Sequence, residues 1–110
     1  LRVVNDQFSS PTYTRHLAEA IVRLLQLKRE GIVNVAASGH CSWFEFAKAI
    51  GARVKPDAKV LPVSTAEYPR PAPRPAYSVL DTSRYREWTG SALPPWQKGL
   101  EEYLAEEKLA

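Results

Sequence analysis

The sequence predicts an α/β fold with a small mixed sheet, about three short strands and four helices. Two observations indicate this class. Short β-branched runs alternate along the chain with longer stretches in which apolar residues recur at helical spacing. In addition, the 110 residues are 45% hydrophobic and 25% charged, which suits one globular domain with a modest core.

Three segments are predicted to be strands. Residues 1–4 are rich in β-branched residues and lead into a polar, turn-forming loop. Residues 32–36 have the composition of a buried strand, since nearly every residue is apolar and glycines bound the run. Residues 59–63 contain Pro62, which has no N–H to donate and therefore favours the edge of a sheet.

The first predicted helix begins near Thr14 and ends at Gly31. A side-chain oxygen of Thr12 or Thr14 is expected to cap its first turn. Apolar residues recur at i, i+4, i+7 and i+8 and are expected to share one buried face, namely Leu17, Ile21, Leu24 and Leu25.

The second predicted helix begins with a capping box. In residues 42–45, Ser42 and Glu45 have the spacing at which each side chain satisfies the other's backbone N–H. Gly51 and Pro56 are expected to end this helix. Its aromatic residues, Trp43 among them, have helical spacing and are expected to be core rather than a stacking platform.

Two shorter helices complete the prediction. Asp81 is the expected N-cap of a helix over residues 82–88, which Gly90 ends. Pro95 suits the start of the final helix, whose apolar positions are Trp96, Leu100, Tyr103 and Leu104.

A proline-rich segment carries the main candidate ligand contacts. Residues 69–75 contain four prolines and are therefore expected to be extended and stiff, which holds Arg70 and Arg74 in place. Residues 48–86 carry eight Lys and Arg against three acidic residues, and this suits a phosphate-bearing ligand. Arg74 is the first candidate and Arg70 the second. The alternative is that both arginines face solvent on a connecting segment.

A polar loop supplies further candidates for binding a sugar or a base: Gln7, Phe8, Ser10 and Thr12. Ser78 adds a hydroxyl that is expected near the phosphates. Plain turn chemistry before a helix accounts for the loop residues equally simply. No metal site is predicted, because His16, His40 and Cys41 lack partners at ligand spacing.

Several motifs, in one order along the chain, resemble the C-terminal part of the dTDP-4-dehydrorhamnose reductases. They are Asn5-Asp6-Gln7-Phe8-Ser9-Ser10-Pro11-Thr12-Tyr13-Thr14, Gly31-Ile32-Val33-Asn34-Val35, Ser42-Trp43-Phe44-Glu45-Phe46-Ala47, the run from Glu67 to Asp81, and Leu93-Pro94-Pro95-Trp96-Gln97. The family usually has Gly where Ser9 stands, so the backbone of this loop is expected to differ slightly.

The resemblance implies an extended short-chain dehydrogenase/reductase that reduces a dTDP-linked 6-deoxy-4-keto sugar with NADPH or NADH in dTDP-rhamnose biosynthesis. The family's Gly-rich loop and Tyr-x-x-x-Lys dyad are both missing from these 110 residues, as is any catalytic or cofactor-binding residue. Residues 1–110 are therefore interpreted as the C-terminal sugar-nucleotide-binding portion, without the N-terminal dinucleotide-binding domain. Such a fragment is expected to be inactive and to hold no cofactor.

Two other functions remain open at this point. One is a non-catalytic nucleotide-sugar-binding or regulatory module of the same fold. The other is nucleic-acid binding, suggested by a pI near 9.2, but the basic residues are too diffuse to form a groove. No apolar run approaches the ~20 residues needed to cross a bilayer, so no membrane partner and a cytoplasmic location are expected. Apolar surface around Leu17, Ile21, Val33 and Val35 is expected to be uncovered and to cause self-association.

Overall fold

The computed structural model describes residues 1–109. In that range the strands are β1 (Arg2–Val4), β2 (Phe8–Ser9), β3 (Cys41–Ser42) and β4 (Leu61–Val63). The helices are α1 (Thr14–Leu27), α2 (Trp43–Val54), α3 (Ser83–Thr89) and α4 (Trp96–Glu106). The four predicted helices and the α/β class are confirmed, although the strands are four in number and very short.

The strands form two small sheets of opposite kind. β1 pairs with β4 in parallel, with Arg2 opposite Leu61 and Val4 opposite Val63. β2 pairs with β3 in antiparallel fashion, with Phe8 opposite Ser42. The predicted mixed pairing is therefore present, but it is divided between two sheets. Ser9 lies in β2 without a positive φ, so serine is accommodated at the position where the family usually has glycine.

The predicted strand over residues 32–36 is wrong. The segment is irregular, and Ile32 is 81% exposed. A central strand needs neighbouring strands on its edges, and no strand among residues 1–109 reaches this one. Val33 and Val35 are half-buried against a small core cluster of Ala20, Tyr85 and Leu93.

Helix α1 covers only part of the predicted apolar face: Leu17 and Leu24 are half-buried, and Leu24 packs against the core. His16 and Ala20 are buried, whereas Ile21 is 48% and Leu25 73% exposed. The predicted N-cap is also wrong, since Tyr13 occupies that position and makes no side-chain cap bond. The helix ends at Leu27, before the predicted Gly31, because Lys28 adopts a left-handed conformation with φ of 53°.

Helix α2 has the predicted capping box. The Ser42 hydroxyl accepts the N–H of Glu45 at 3.1 Å, and the Glu45 carboxylate accepts the N–H of Ser42 at 3.3 Å. Gly51 does not end the helix, because it keeps helical backbone geometry and the helix continues to Val54. Trp43 was predicted to be core, but it is 48% exposed.

Helix α3 begins one residue later than predicted, so that Thr82 and not Asp81 is its N-cap. The Asp81 carboxylate instead accepts the N–H of Ser83 at 2.9 Å, and this bond lowers the pKa of Asp81. Gly90 ends the helix as predicted, with φ of 78°.

Helix α4 packs against the start of α1 over the small residue Gly99. A Cβ at this position would come within 2.9 Å of Tyr13 Cβ, so only glycine permits the approach. Glu102 of α4 is 2.5 Å from the buried His16 Nε2. A second core cluster beside this junction contains Ala37, Cys41 and Trp96, and burial raises the pKa of Cys41 to about 11.

Candidate functional site

A cavity of about 440 Å³ lies on the side of the molecule formed by β1 and the proline-rich segment. Its volume falls within the range of small-molecule sites, about 300–1,000 Å³. Eight residues line it: Arg2, Val3, Val4, Gln7, Trp43, Tyr68, Arg70 and Arg74. We call it the arginine cavity.

The wall of the cavity is held together by a clamp between two loops. The Thr65 hydroxyl donates to the Asp6 carboxylate at 2.6 Å, and the Thr65 N–H donates to the same carboxylate at 3.0 Å. The Gln7 side-chain amide in turn donates to Thr65 Oγ1 at 3.1 Å. The hydrogen bonds from Thr65 lower the pKa of Asp6. The clamp thereby fixes the loop after β1 against the segment that leads from β4 to the arginines.

The parallel pairing of β1 with β4 explains why Arg2 belongs to the cavity. Arg2 lies directly opposite Leu61, and the chain then runs from Val63 through the clamp towards Tyr68. Arg2 thus lines the same cavity as Arg70 and Arg74, which are about seventy positions away in sequence.

The three cavity arginines lack carboxylate partners. Within residues 1–109, ion pairs are formed by Arg15, His16 and Lys98, all of them at the α1–α4 junction. Arg2, Arg70 and Arg74 have no carboxylate oxygen within 4.0 Å in the described part of the chain. Three cations around one concavity repel each other, so an anion that enters is favoured by all three.

One arginine of the three is positioned by an aromatic ring. The Arg70 guanidinium lies 5.1 Å from the centroid of the Tyr68 ring, which is cation–π distance. This contact covers a face of Tyr68 and orients the guanidinium of a residue whose backbone the neighbouring prolines already restrain.

Three of the seven predicted binding residues are brought together here: Gln7, Arg70 and Arg74. Ser10 and Thr12 do not line this cavity. The Ser10 hydroxyl donates to the Gly39 carbonyl at 2.6 Å, and the Thr12 hydroxyl accepts the N–H of Ala37 at 3.0 Å. In this structure both hydroxyls tie the loop before α1 to the segment before β3.

Phe8 and Ser78 lie together outside the cavity lining. The Phe8 carbonyl accepts both the N–H of Ser78 at 2.9 Å and its hydroxyl at 3.2 Å. The Phe8 ring meets His40 edge-on at 6.1 Å, and His40 meets Tyr77 in the same way at 5.8 Å. Ser78 thus anchors the end of the proline-rich segment to β2.

Sequence reasoning missed Arg2, Trp43 and Tyr68. No local pattern marks Arg2, because its place depends on which strand β1 pairs with. Its helical spacing predicts Trp43 in the core, yet it is the first residue of α2 and lines the cavity. Tyr68 immediately precedes the proline-rich segment, which was the available signal for it.

A second cavity of about 200 Å³ lies at the α1–α4 junction and is mainly apolar, with Phe46, Leu100 and Tyr103 among its lining. Among residues 1–109, no group of three or more His, Cys, Asp or Glu is placed to hold a metal ion. No helix in the same range has both the length and the apolar composition to cross a membrane.

Several known proteins are similar to this chain in sequence. Residues 1–109 match the family described as the RmlD substrate binding domain. A spore coat polysaccharide biosynthesis protein of Bacillus subtilis, SpsK, is 47% identical over 110 residues, which is all of this chain and 38% of that protein. A dTDP-4-dehydrorhamnose reductase of Mycobacterium tuberculosis is 40% identical over 108 residues, or 94% of this chain and 34% of that enzyme.

Solved structures agree with these relatives. The crystal structure of dTDP-4-dehydrorhamnose reductase from Bacillus anthracis in complex with NADP superimposes with a TM-score of 0.91 at 40% identity, covering 96% of this chain and 38% of that one. The Clostridium acetobutylicum reductase gives 0.90 at 38% identity, covering 98% of this chain and 39% of that one. The chain therefore spans between a third and two fifths of the length of these relatives.

Proposed function

The chain belongs to the RmlD substrate-binding domain family, and from this premise we propose that it is the sugar-nucleotide-binding portion of an NAD(P)H-dependent dTDP-4-dehydrorhamnose reductase. Its ligand in this proposal is a dTDP-linked 6-deoxy-4-keto sugar, held in the arginine cavity. The proposal includes the cytoplasmic location expected from the sequence.

The unpaired arginines of the cavity carry the proposal. A nucleotide sugar contains a diphosphate with two negative charges, and a guanidinium binds phosphate oxygens in bidentate fashion. Arg70 and Arg74 offer such forks from a segment stiffened by proline, so little backbone entropy is lost on binding. Arg2 adds a third positive charge from β1.

The shape of the site favours a diphosphate over a nucleic acid. A nucleic-acid surface presents a basic stripe that follows many phosphates. Here the unpaired charges converge on one cavity whose other lining residues are apolar, aromatic or amide. A compact ligand with one charged group and one apolar group fits that division.

The domain organisation is the second part of the proposal. The residues of α1 that face away from the core, together with the segment that follows, form what we call the docking face: Ile21, Val22, Leu25 and residues 32–36. Ile21, Val22, Leu25 and Ile32 are between 48% and 81% exposed, whereas Val33 and Val35 are half-buried. In addition, the backbone N–H groups of residues 32–36 have no acceptor among residues 1–109.

A segment with free backbone N–H groups and apolar side chains can pair with the edge of another β-sheet. We assign that edge to a dinucleotide-binding domain, since the relatives are more than twice as long as this chain. Residues 1–109 contain no strand–turn–helix unit with a Gly-rich turn, so NADP does not fit them, and cofactor binding and hydride transfer belong to that other domain.

Calorimetric titration with dTDP tests the ligand assignment. Arg74→Gln is expected to weaken binding by about tenfold to a hundredfold, because a charge-assisted hydrogen bond contributes roughly 1.5–3 kcal/mol. Arg53→Gln is the matched control, since it removes the same charge from an exposed site outside the cavity. Equal affinities of the two variants would refute the assignment.

An activity assay tests the proposal that this chain binds the substrate while another domain carries out hydride transfer. The chain alone is expected to oxidise no NADPH in the presence of a dTDP-4-keto-6-deoxy sugar, because it has no Tyr-x-x-x-Lys dyad. Reduction of the sugar by this polypeptide alone would contradict the proposal.

A further inference from the structure

We propose that Trp43 is the platform on which the nucleobase stacks, and that it selects a nucleotide over an inorganic diphosphate. This inference rests on the proposed function of the arginine cavity. It concerns the half of the cavity that the arginines do not account for.

The exposure of Trp43 is unusual for the chain. Trp96 is 7% exposed in the core, and Trp88 is half-buried, whereas Trp43 is 48% exposed. Leaving an indole ring in water forgoes the favourable free energy of burying it. The capping box at Ser42 fixes where α2 begins and therefore holds Trp43 at the N-terminus of this helix, beside β1.

The faces of the two aromatic residues in the cavity are not equally available. The Arg70 guanidinium lies over the Tyr68 ring. The nearest ring to Trp43 is that of Phe46, at 6.5 Å and with an angle of 63° between the planes. The two rings are thus inclined rather than stacked, and the exposed indole surface remains open to a flat ligand.

The covalent structure of a nucleotide sugar matches this arrangement. The diphosphate is joined to the base through one pentose, so a base must lie close to the phosphates that the arginines bind. Trp43 lines the same 440 Å³ cavity as Arg2 and Arg74. Stacking of a base on an aromatic side chain depends on the flat face and not on a particular hydrogen-bond pattern.

The test compares two ligands and three substitutions by calorimetric titration. Trp43→Ala is expected to weaken dTDP binding by about tenfold, in the range measured when a stacking residue is replaced by alanine, and to leave pyrophosphate binding unchanged. Trp43→Phe keeps an aromatic face and is expected to recover most of the affinity. Arg74→Gln should weaken both ligands.

Intrinsic fluorescence gives a second readout. Binding of dTDP to the unsubstituted chain is expected to quench tryptophan emission, because the most exposed indole is the one that stacks. In Trp43→Phe the quenching should disappear although binding persists. Circular dichroism checks that the Trp43 variants keep the fold. Little change in the spectrum is expected, because Trp43 is exposed and its substitution leaves the capping box intact.

The outcomes separate the two claims. If Arg74→Gln weakens both ligands but Trp43→Ala changes neither, the platform is refuted and the diphosphate site stands. If Trp43→Ala weakens pyrophosphate as much as dTDP, Trp43 shapes the arginine wall instead of meeting the base, and the inference fails. If the unsubstituted chain binds neither ligand, or Arg74→Gln binds both as tightly as Arg53→Gln does, the proposed function fails and the inference with it.

Discussion

The arginine cavity and the docking face both contain groups that find no partner within the described residues, but the groups differ in kind. The cavity has cations without counter-ions, whereas its backbone and loops are clamped by hydrogen bonds around Thr65. The docking face has exposed apolar side chains, and the backbone N–H groups of residues 32–36 have no acceptor among residues 1–109.

The difference indicates two kinds of partner. Isolated charge around a rigid concavity suits a small anion, because the favourable Coulomb energy is gained without reorganising the site. Apolar surface next to free N–H groups suits another folded polypeptide, because only such a partner both covers side chains and completes a sheet. The two regions should therefore respond differently to substitution.

The largest expected effect distinguishes two adjacent leucines of α1. Leu24 packs against the cluster of Ala20, Tyr85 and Leu93, whereas Leu25 is 73% exposed. Leu24→Asp should lower the free energy of unfolding by about 2–5 kcal/mol, because it removes a packed side chain and buries a charge. Leu25→Asp should change it little. Urea denaturation measures both, and equal losses would show that the docking face is part of the core.

A second prediction concerns chemical access to the thiol of Cys41. This residue lies in β3, opposite Ser9 of β2. Burial raises its pKa to about 11, so at pH 8 its alkylation should be on the order of a hundredfold slower than that of an unperturbed thiol. Denaturant should abolish the difference. Fast reaction of the folded protein with iodoacetamide would mean that β2 and β3 separate readily.

A third prediction concerns self-association through the docking face. Without the domain proposed to cover it, the chain is expected to associate with itself at high concentration. Leu25→Asp should shift the equilibrium towards the monomer, and Arg74→Gln should not. Sedimentation velocity measures this, and a monomeric unsubstituted chain at high concentration would contradict the expectation.

The smallest expected effect is on the clamp. Thr65→Val removes a hydroxyl that donates to Asp6, so the pKa of Asp6 should rise towards its ordinary value, as measured by NMR titration of the carboxyl carbon. Because the folded pKa lies below the unfolded one, the clamp stabilises the fold above about pH 4 and loses its contribution as the pH falls through the lowered pKa. An unchanged pKa in the valine variant would show that the backbone N–H alone sets it.

Local signals in the sequence predict the helices and part of the candidate site. The capping box at Ser42, the helix stop at Gly90 and the start of α4 after Pro95 depend on neighbouring residues, and the structure has all three. The proline-rich segment likewise indicated Arg70 and Arg74, since stiffness and charge are both local properties.

The predictions that were wrong or missing concern properties that depend on residues far away in sequence. Whether residues 32–36 form a strand depends on a neighbouring strand, which no residue in the described range supplies. The spacing of Leu17, Ile21 and Leu25 marks an apolar face but does not say which part of that face this chain covers. Arg2 joined the site through the pairing of β1 with β4, and nothing adjacent to it in sequence indicates this pairing.

Backbone amide NMR shifts during titration with dTDP test the central claim most directly, because they report on both regions at once. The largest changes are expected at residues 2–7, Trp43 and residues 68–74, and none are expected on the docking face. Changes confined to α1 and residues 32–36, or no change at millimolar dTDP, would contradict it.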